Sequence, residues 1–515
     1  MITLRHTVSA LALSTLLVMG ACKKNSGDAP DIDVKVKSAD ANLMKKLLEV
    51  DDRTVADVEA DEALTAMGLK SKSPRLTWDS MSGSGGDYQY KNLTLKTDDG
   101  EDVKIAGLNF DGVHMSGDHA TFDKMSISGV SISDDDVTGS IDSLTLSRPH
   151  PQVAAAILQG VGDLDSLEGL DFDLDNGEAF GALLLEGMKV KADDADVTID
   201  TFGWGTDVAT GKGTFLAKNI SVIADDGGDK VNISLKTMSA TDVSAEIMSA
   251  FKSGFNGEGM PSINPFQSGY GNMLLEDLNV SVEGFNLNLE GVEASSKTKG
   301  DIVTEKSVMK PLRIKFDGGD MLPYEMREAK EALDKMGYDE LVFTATSKSV
   351  KNKSKDSLVV SDSNFTMVDG FKLNYDLKAT GLEAISKAQT GMDAMDNPMG
   401  GMENLVIESM NISFTDDSIL DRALTLAAEE SGQSPALMKT QAQMGLMMLP
   451  AMAENKAQGK IMSDLADALG KFISDGGTLT MSVNPPTPIA VSTLENMGDG
   501  PEVIEKLGLS FGHKK

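Results

Sequence analysis

The sequence predicts an α+β protein that is predominantly antiparallel β: an elongated body of tandem β-rich repeats with short helices and a helical C-terminal region. From Leu76 onward, apolar residues alternate with Asn, Ser, Asp or Lys, as in 278–282 and 371–377. Such alternation is typical of strands with one buried face and one solvated face. Turn sequences rich in Asp and Gly, which favour hairpins, separate these segments at Asp99-Gly100, 225–228, 317–319 and 475–477.

The first 21 residues predict a signal peptide. Arg5 lies near the amino terminus, no acidic residue precedes Asp28, and the run from Val8 to Met19 is almost entirely apolar. A run of this length suits the hydrophobic region of a signal peptide and is too short to span a bilayer as a helix. The chain is therefore expected to be exported.

The residues that end this run carry a family resemblance. Met19-Gly20-Ala21-Cys22 resembles the lipobox of bacterial lipoproteins, in which Leu, a small residue and Gly or Ala precede the cysteine; Met19 departs from the preferred Leu. The resemblance implies cleavage before Cys22, a diacylglycerol on its sulfur, an acyl chain on its amine, and hence a stable membrane anchor. An Asp after the cysteine resembles an inner-membrane retention signal in enteric bacteria, so Lys23 favours the outer membrane, with the body in the periplasm.

A short tether and two helices are predicted after the anchor. Residues 22–37 form the lipidated tether, which reaches only about 20–25 Å by random-coil scaling. Residues 38–75 form the N-terminal helical region, in which apolar spacing over 38–68 predicts two helices that end at Gly68. The body is therefore expected to lie close to the membrane.

An internal repeat organises the strands. The segment 180–190 (FGALLLEGMKV) matches 270–280 (YGNMLLEDLNV) 90 residues later. A third copy matches at 380–384 and 406–412 and is stretched by a predicted helical insert at 323–337. Three copies in one order indicate duplication. We therefore predict tandem repeats over residues 76–401, divided approximately into 76–180, 181–270 and 271–401.

The C-terminal region, residues 402–515, is predicted to hold one more repeat strand, a helical cap and a terminal hairpin. Helical spacing is found at 421–430, 435–449 and 458–473, and a strand follows at 478–483. The change from a period of two to a helical period marks the end of the repeats.

Charge and cysteine content exclude several classes of function. The chain has 47 basic and 80 acidic residues, a net charge of −33; without residues 1–21 it loses Arg5 and carries −34. Nucleic acids bear the same sign of charge, so no nucleic-acid partner is expected. Cys22 is the only cysteine, so the mature chain forms no disulfide and thiol catalysis is not expected.

The sequence contains no recognisable catalytic constellation. The stretch 82–86 (SGSGG) is not a nucleophile elbow, because no helix follows it, and a flexible loop is predicted. His114 and His119 lack the spacing of a zinc-binding helical pair, and His150 lies in a Pro-flanked turn. No catalytic residue and no resident cofactor are therefore assigned.

Calcium is the one metal that the acidic residues suggest. The stretch 171–177 (DFDLDNG) resembles the start of an EF-hand loop, but its glycine is one position late and Ala182 stands where a bidentate Glu is required. Asp in Asp/Gly turns more often serves turn geometry, so no metal site is assigned. The candidate calcium ligands are Asp134, Asp135, Asp136, Asp171, Asp173 and Asp175.

Methionine is unusually frequent, with 30 residues. Three interpretations stay open: adaptable core packing, a plastic apolar surface for a lipid or a protein partner, and thioether ligation of Cu(I). The two clusters are Met392, Met395, Met399 and Met402, and Met444, Met447, Met448 and Met452.

These features predict a membrane-anchored, periplasm-facing lipoprotein with a non-enzymatic binding or structural role in the bacterial cell envelope. One alternative is a carrier of lipid or another hydrophobic ligand along an apolar sheet face. A further alternative is an envelope hydrolase, which would require acidic residues that converge with His114 or His119. The partners expected are the membrane, through lipid on Cys22, and unidentified envelope proteins or lipid.

The lipobox resemblance generates a direct test. Cys22→Ser removes the only thiol, so the chain should take up no radiolabelled palmitate and should keep residues 1–21, which intact mass measures. The wild-type chain, labelled in the same host, is the control. Palmitate uptake by the Cys22→Ser variant, or wild-type cleavage at another residue, would contradict lipidation at Cys22.

Overall fold

A computed structural model describes most of the chain beyond the N-terminal segment. Described are residues 34, 36–96, 102–133, 137–160, 180–226, 229–245, 269–282, 284–317, 322, 324–383, 404–453, 456–496 and 506–515.

Within the described ranges, twenty strands form one continuous antiparallel sheet, and two further strands form a separate hairpin. This confirms a predominantly antiparallel β fold. The separate hairpin consists of β5 (His114–Ser116) and β6 (His119–Thr121). The sheet contains β1 (Leu76–Thr77), β2 (Ser80–Ser84), β3 (Asp87–Lys96), β4 (Asp102–Asp111), β7 (Lys124–Ser133), β8 (Val137–Pro149), β9 (Phe180–Ala192), β10 (Ala195–Asp207), β11 (Lys212–Asp226), β12 (Asp229–Val243), β13 (Asn272–Val282), β14 (Phe285–Lys299), β15 (Ile302–Phe316), β16 (Leu341–Asn352), β17 (Ser357–Met367), β18 (Phe371–Thr380), β19 (Val406–Asp416), β20 (Gly477–Val483), β21 (Ile489–Ala490) and β22 (Leu509–Lys514).

The strands follow one another in the sheet almost in chain order. From β3 through β4 and β7 to β20, each strand pairs with the next one, and β22 pairs with β20 at the far end. β1 and β2 pair with β3, and β21 pairs with β19. Because each strand is antiparallel to its neighbour, consecutive strands need only short connections.

The helices lie before, between and after the strands. They are α1 (Ala41–Leu47), α2 (Asp57–Ala66), α3 (Pro151–Gly160), α4 (Tyr324–Lys335), α5 (Ile419–Ser431), α6 (Pro435–Met448), α7 (Lys456–Asp475) and α8 (Val491–Asn496). Short 3₁₀ turns lie at Lys353–Lys355 and Leu449–Met452.

The N-terminal helices begin and end where local chemistry favours it. Asp40 caps α1, since its carboxylate accepts a hydrogen bond from the Leu43 amide at 2.8 Å. Gly68 follows α2 with φ +70°, a conformation that glycine adopts without a Cβ penalty. The end predicted at Gly68 is confirmed.

Helix α1 packs against the sheet because two glycines leave room for it. Met44 and Leu47 belong to a cluster with residues of β9 and β11. A Cβ at Gly203 would lie 2.9 Å from Met44 Cγ, and one at Gly205 would lie 3.2 Å from the Leu47 side chain. Both distances are too short for a close-packed contact, so larger residues at these two positions would displace the helix.

Several turn predictions are corrected. Asp226 pairs with Asp229 across a hairpin, as its sequence predicts, whereas 99–100 lies outside the described residues. Beyond Asp317 the chain leads to α4 rather than directly into the next strand, and Gly476 ends α7 with φ +67°. Glycine serves helix ends as readily as hairpins, so the hairpins predicted at 317–319 and 475–477 are wrong.

The flexible loop predicted at 82–86 is also wrong. Ser82 and Ser84 lie on β2, and Ser84 pairs with Asp87 of β3. Gly85 and Gly86 both have positive φ, at 64° and 95°, which is the requirement of a type I′ hairpin turn.

A line of irregular residues crosses the sheet. On alternate strands β3, β7, β9, β11 and β13, one central residue has a left-handed backbone, with φ between 47° and 68°. Each is Asn, Asp or Gly, the residue types that tolerate this conformation best. We call this line the crease; its left-handed residues are Asn92, Gly129, Gly187, Asn219 and Asp277.

The crease carries a polar network. The Asn219 side chain donates a hydrogen bond to Asp200 Oδ2 at 2.7 Å, and the Asp277 carboxylate lies 3.2 Å from Lys236 Nζ. At one end of the crease the Asn92 amide donates to Asp79 Oδ2 at 2.8 Å. The side chains therefore support a backbone conformation that costs about 1–2 kcal/mol for most residue types.

The crease makes a prediction for two matched pairs of variants. Asn219→Ala and Asn219→Gly both lose the hydrogen bond to Asp200, so the difference between their free energies of unfolding reports the cost of the left-handed backbone alone. The Gly variant should be the more stable by about 1 kcal/mol. At Ser221, which has ordinary strand geometry, the order should reverse, because Gly weakens a regular strand. Denaturant unfolding followed by circular dichroism measures both. If the Ala and Gly variants had the same order of stability at both positions, the left-handed backbone assigned to Asn219 would be contradicted.

Candidate functional site

One row of apolar side chains crosses the sheet from edge to edge. Residues opposite one another on paired strands project from the same face, so the register can be followed from strand to strand. Of the 18 residues in this central row, only the last is not apolar. The row is Met81, Tyr90, Leu108, Ile127, Leu144, Leu185, Phe202, Ala217, Met238, Leu275, Val292, Met309, Ala345, Phe365, Leu373, Phe414, Leu479 and His513.

Two further rows widen this surface on the other side of the crease. Every member of both is apolar, and together with the central row they define the apolar face. The second row is Met188, Ile199, Ile220, Leu235, Leu278, Leu289, Leu312, Phe343, Met367 and Phe371. The third row is Val190, Val197, Val222, Ile233, Val280, Leu287, Ile314 and Leu341.

The crease explains why these rows share a face. In a regular strand, residues three apart project from opposite faces. Leu275 and Leu278 of β13 are three apart, as are Leu235 and Met238 of β12, yet all four belong to one contact cluster. In β13 the left-handed Asp277 lies between the two leucines, and in β12 Lys236, which lies opposite Asp277, occupies the same level. The alternation of both strands shifts by one position there.

Beside the third row, the opposite face of β12, β13 and β14 is polar. Ser234, Asn279 and Asn288 lie opposite one another on β12, β13 and β14. Asn279 donates a hydrogen bond to Ser234 Oγ at 3.2 Å, and Asn288 donates to Asn279 Oδ1 at 2.6 Å. Solvated amides on one face and aliphatic side chains on the other give this part of the sheet two chemically different surfaces.

The middle of the apolar face is formed by strand residues. A cluster of 13 side chains there comes entirely from β11 to β17. Leu289 at its centre is 5% exposed, whereas Leu287 and Val280 are only half-buried. Among the described residues, no helix packs extensively against β12 to β18. The cluster is therefore buried at its centre, whereas Leu287 and Val280 in the third row are partly accessible to solvent.

The two ends of the apolar face are covered. At the N-terminal end, Leu64 of α2 and Phe122 join a cluster with Tyr90 and Phe110 of the sheet. The Tyr90 hydroxyl donates a hydrogen bond to the Leu69 carbonyl at 3.0 Å, and burial raises the pKa of this phenol well above its usual value. This end is an ordinary hydrophobic core.

An aromatic ladder leads to the C-terminal end. Phe343 and Phe365 stack with ring centroids 5.4 Å apart, and Phe371 stacks on Phe414 at 5.3 Å. Phe472 of α7 meets Phe414 edge-on at 5.9 Å. Such ring pairs add about 0.5–1.5 kcal/mol beyond the burial of their area. Helix α7 therefore closes the apolar face at this end.

Three of the histidines take part in local hydrogen bonds that involve the backbone. His114 and His119 lie on the β5–β6 hairpin, and the His114 Nδ1 lies 2.7 Å from the Gly112 carbonyl oxygen. His513 Nε2 lies 2.7 Å from the Gly476 carbonyl oxygen. The His150 carbonyl accepts a hydrogen bond from the Ala154 amide at the start of α3.

Other predicted site residues lie outside the described part of the chain: Cys22, Asp134, Asp135, Asp136, Asp171, Asp173, Asp175, and the methionines at 392, 395, 399 and 402. Within the described part, no group of three His, Cys, Asp or Glu side chains is placed to hold a metal ion. No described helix is both long enough and apolar enough to cross a membrane.

A cleft of about 380 Å³ lies between α1 and the ends of β10 to β13. Asp207 and Lys212, which line it, make local contacts. Asp207 accepts hydrogen bonds from the Thr210 amide and hydroxyl, which lower the pKa of its carboxyl, and Lys212 lies 3.6 Å from Asp242. These contacts support a turn-stabilising role for the cleft residues.

Comparisons with known proteins add little. Residues 364–514 match a family model described as an uncharacterized protein, and a search of curated proteins finds no match. A solved structure that resembles the chain is OmpT (in-vitro folded), an outer membrane protein of Vibrio cholerae in its trimer form. The identity is 9%, the match covers 66% of this chain and 79% of that one, and the TM-score is 0.12. At that score the likeness carries no argument.

Only the pairing of residues across neighbouring strands brings the apolar face together. A sequence signal was nevertheless present: each strand from β9 to β15 has apolar residues three apart around its crease position, such as 185 and 188 or 289 and 292. A three-residue step is not the alternation that indicates a strand, so the sequence pattern alone does not link the two halves of each strand.

The aromatic ladder predicts that Phe472 holds α7 on the sheet. Phe472→Ala should lower the free energy of unfolding by about 3–5 kcal/mol and should speed hydrogen exchange in α7. Met448→Ala, on the exposed side of neighbouring α6, is the control and should change stability by less than about 0.5 kcal/mol. Equal effects of the two variants would contradict the role of the ladder.

Proposed function

We propose that this chain is a lipid-anchored protein of the bacterial cell envelope that binds the acyl chains of lipids along the apolar face of its sheet, without catalysing a reaction. The observation that carries the proposal is the apolar face itself, in which three adjacent rows run across β9 to β16 without a polar member. This favours the hydrophobic carrier over a purely structural role.

The dimensions of the face suit an acyl chain. Seven strand spacings of about 4.8 Å separate β9 from β16, so this part of the apolar face is about 34 Å long. One leaflet of a bilayer has a hydrocarbon depth of about 15 Å, so the face is long enough for extended acyl chains. A protein partner would need polar groups to set its orientation, and those groups are found on the opposite face.

The proposed location follows from the sequence. Export by residues 1–21, lipid on Cys22 and a short tether would hold the body near a bacterial membrane, with the outer membrane favoured and the body in the periplasm. The net charge of −34 on the mature chain supports the absence of a nucleic-acid partner. Neither a resident cofactor nor calcium is part of the proposal.

The proposed organisation is an elongated array of tandem repeats closed by a helical C-terminal region. The matching segments 180–190 and 270–280 coincide with β9 and β13, four strands apart in one sheet. Duplication of a four-strand unit lengthens the apolar face without a new connection geometry. The contact between α7 and Phe414 supports a capping role for the C-terminal helices.

The proposal is tested with matched variants of neighbouring residues. Leu287 lies on the apolar face and Asn288 on the polar face. The full chain is recovered from its native membrane, and photocrosslinking to a phosphatidylethanolamine with a diazirine-bearing acyl chain is measured. Leu287→Glu should weaken labelling by about tenfold, the equivalent of about 1.4 kcal/mol, whereas Asn288→Glu should label like the wild type.

Two controls keep the result interpretable. Thermal unfolding of both Glu variants shows whether either has lost its fold, and Leu287→Met, which keeps an apolar side chain of similar volume, should retain labelling. Equal labelling of the two Glu variants, or crosslinks that map to the polar face, would refute binding along the apolar face.

A further inference from the structure

At one end of the strands, the apolar side of the sheet becomes polar. On the side of the central row that lies away from the crease, Met309 of β15 is followed by Ser307 and Glu305, which project from the same face because residues two apart in a strand do so. On β16, the neighbour of β15, Lys351 projects from this face as well. The ends of these two strands therefore place charges beside the apolar face.

The two charged residues form an ion pair. The Lys351 ammonium nitrogen lies 2.7 Å from Glu305 Oε2, and the Ser349 hydroxyl donates a hydrogen bond to the same oxygen at 3.2 Å. The two side chains are only 19% and 21% exposed. We call this group the polar end; its residues are Glu305, Ser307, Ser349 and Lys351.

The ion pair is exceptional for its side of the sheet. On the apolar side of β13 to β16, from the third row to the polar end, all other strand residues are apolar, serine or threonine. A partly buried ion pair adds little to stability, because the desolvation of both charges offsets their attraction. Recognition of charges on a ligand therefore explains the pair better than stability of the fold does.

The distance from the polar end to the apolar rows suits one lipid molecule. Seven residues separate Glu305 from Leu312 of the second row, which is about 20–23 Å along the strand. The hydrocarbon depth of one bilayer leaflet is about 15 Å. An extended acyl chain whose polar group lies over Glu305 would therefore pass the central row and end near the second row, parallel to the strands.

We propose that the polar end binds the headgroup of a zwitterionic phospholipid with a primary ammonium group, of the phosphatidylethanolamine type. This inference rests on the acyl-chain binding proposed above and adds the class and the orientation of the lipid. Lys351 donates a hydrogen bond to the phosphate, and the headgroup ammonium donates one to the Glu305 carboxylate, both assisted by charge. The headgroup lies antiparallel to the ion pair, so the pair does not have to separate.

Other headgroups fit the polar end less well. An anionic headgroup has no positive charge to offer Glu305 and is repelled by a chain of net charge −33. A quaternary ammonium has no N–H group, so phosphatidylcholine loses the hydrogen bond to Glu305. A headgroup with both signs of charge and N–H donors matches both members of the pair.

The test compares three phospholipids that carry the same diazirine-bearing acyl chains. The full chain from its native membrane is photocrosslinked to phosphatidylethanolamine, phosphatidylcholine or phosphatidylglycerol. Labelling with phosphatidylethanolamine should be about tenfold stronger than with phosphatidylglycerol, as hydrogen bonds to charged groups would give, with phosphatidylcholine between them. A diazirine next to the acyl carboxyl should crosslink near Ser307, and one at the methyl end near Leu312.

Two double variants separate recognition from stability. Glu305→Gln with Lys351→Met removes both charges and leaves neither unpaired, so the chain should unfold at the same temperature and still be labelled, without a preference among the three lipids. Lys348→Met with Asp362→Asn is the control, because this ion pair, at 2.8 Å, belongs to the opposite face. The control should keep the tenfold preference.

The outcomes distinguish the headgroup from the acyl chain. Equal labelling of the wild type by all three lipids, an unchanged preference after removal of the Glu305–Lys351 pair, or a reversed crosslink map would overturn headgroup binding at the polar end and leave acyl-chain binding standing. The crosslink map of the wild type needs no substitution, so it decides the orientation even if a variant is destabilised. No labelling of the wild type by any of the lipids would overturn acyl-chain binding as well.

Discussion

The cross-strand register, kept in phase by the crease, is the constraint on which the rest of the structure depends. Backbone hydrogen bonds fix which residues oppose one another, and a slip of one residue would move a whole strand's apolar side chains to the solvated face. The left-handed Asn, Asp and Gly residues lie on alternate strands, and the alternation of the strands between them shifts at the same level. Apolar rows on both sides of the crease therefore share a face.

Once the register is set, each strand contributes side chains of different character to the two faces of the sheet. In β10, Phe202 and Trp204 project onto the apolar side and contact Phe215, whereas Gly203 and Gly205 face α1 on the other side. In β14 the same alternation places leucines on the apolar face and asparagines on the polar face. Because successive strands repeat this arrangement, the apolar face grows with the number of strands, and the described helices that contact it lie near its ends.

The proposed contact with lipid depends on hydrophobic contact area. Along the apolar face, aliphatic rows offer contact area without polar groups, which suits a ligand recognised by its hydrocarbon alone. The chain carries 80 acidic and 47 basic residues, and this excess of negative charge disfavours contact with anionic surfaces. Hydrocarbon rather than a net headgroup charge is therefore the feature of a lipid that this face would recognise.

The sequence by itself determined the class of secondary structure. A period of two or of about 3.6 residues reports local backbone geometry, so the β-rich body, the end of α2 at Gly68 and helices such as α5 could be predicted. Only the tertiary structure decided which strands align, that apolar residues three apart share a face, and that the helix carrying Met447 leaves it exposed. Those features depend on pairing and packing between residues distant in sequence, which no local periodicity encodes.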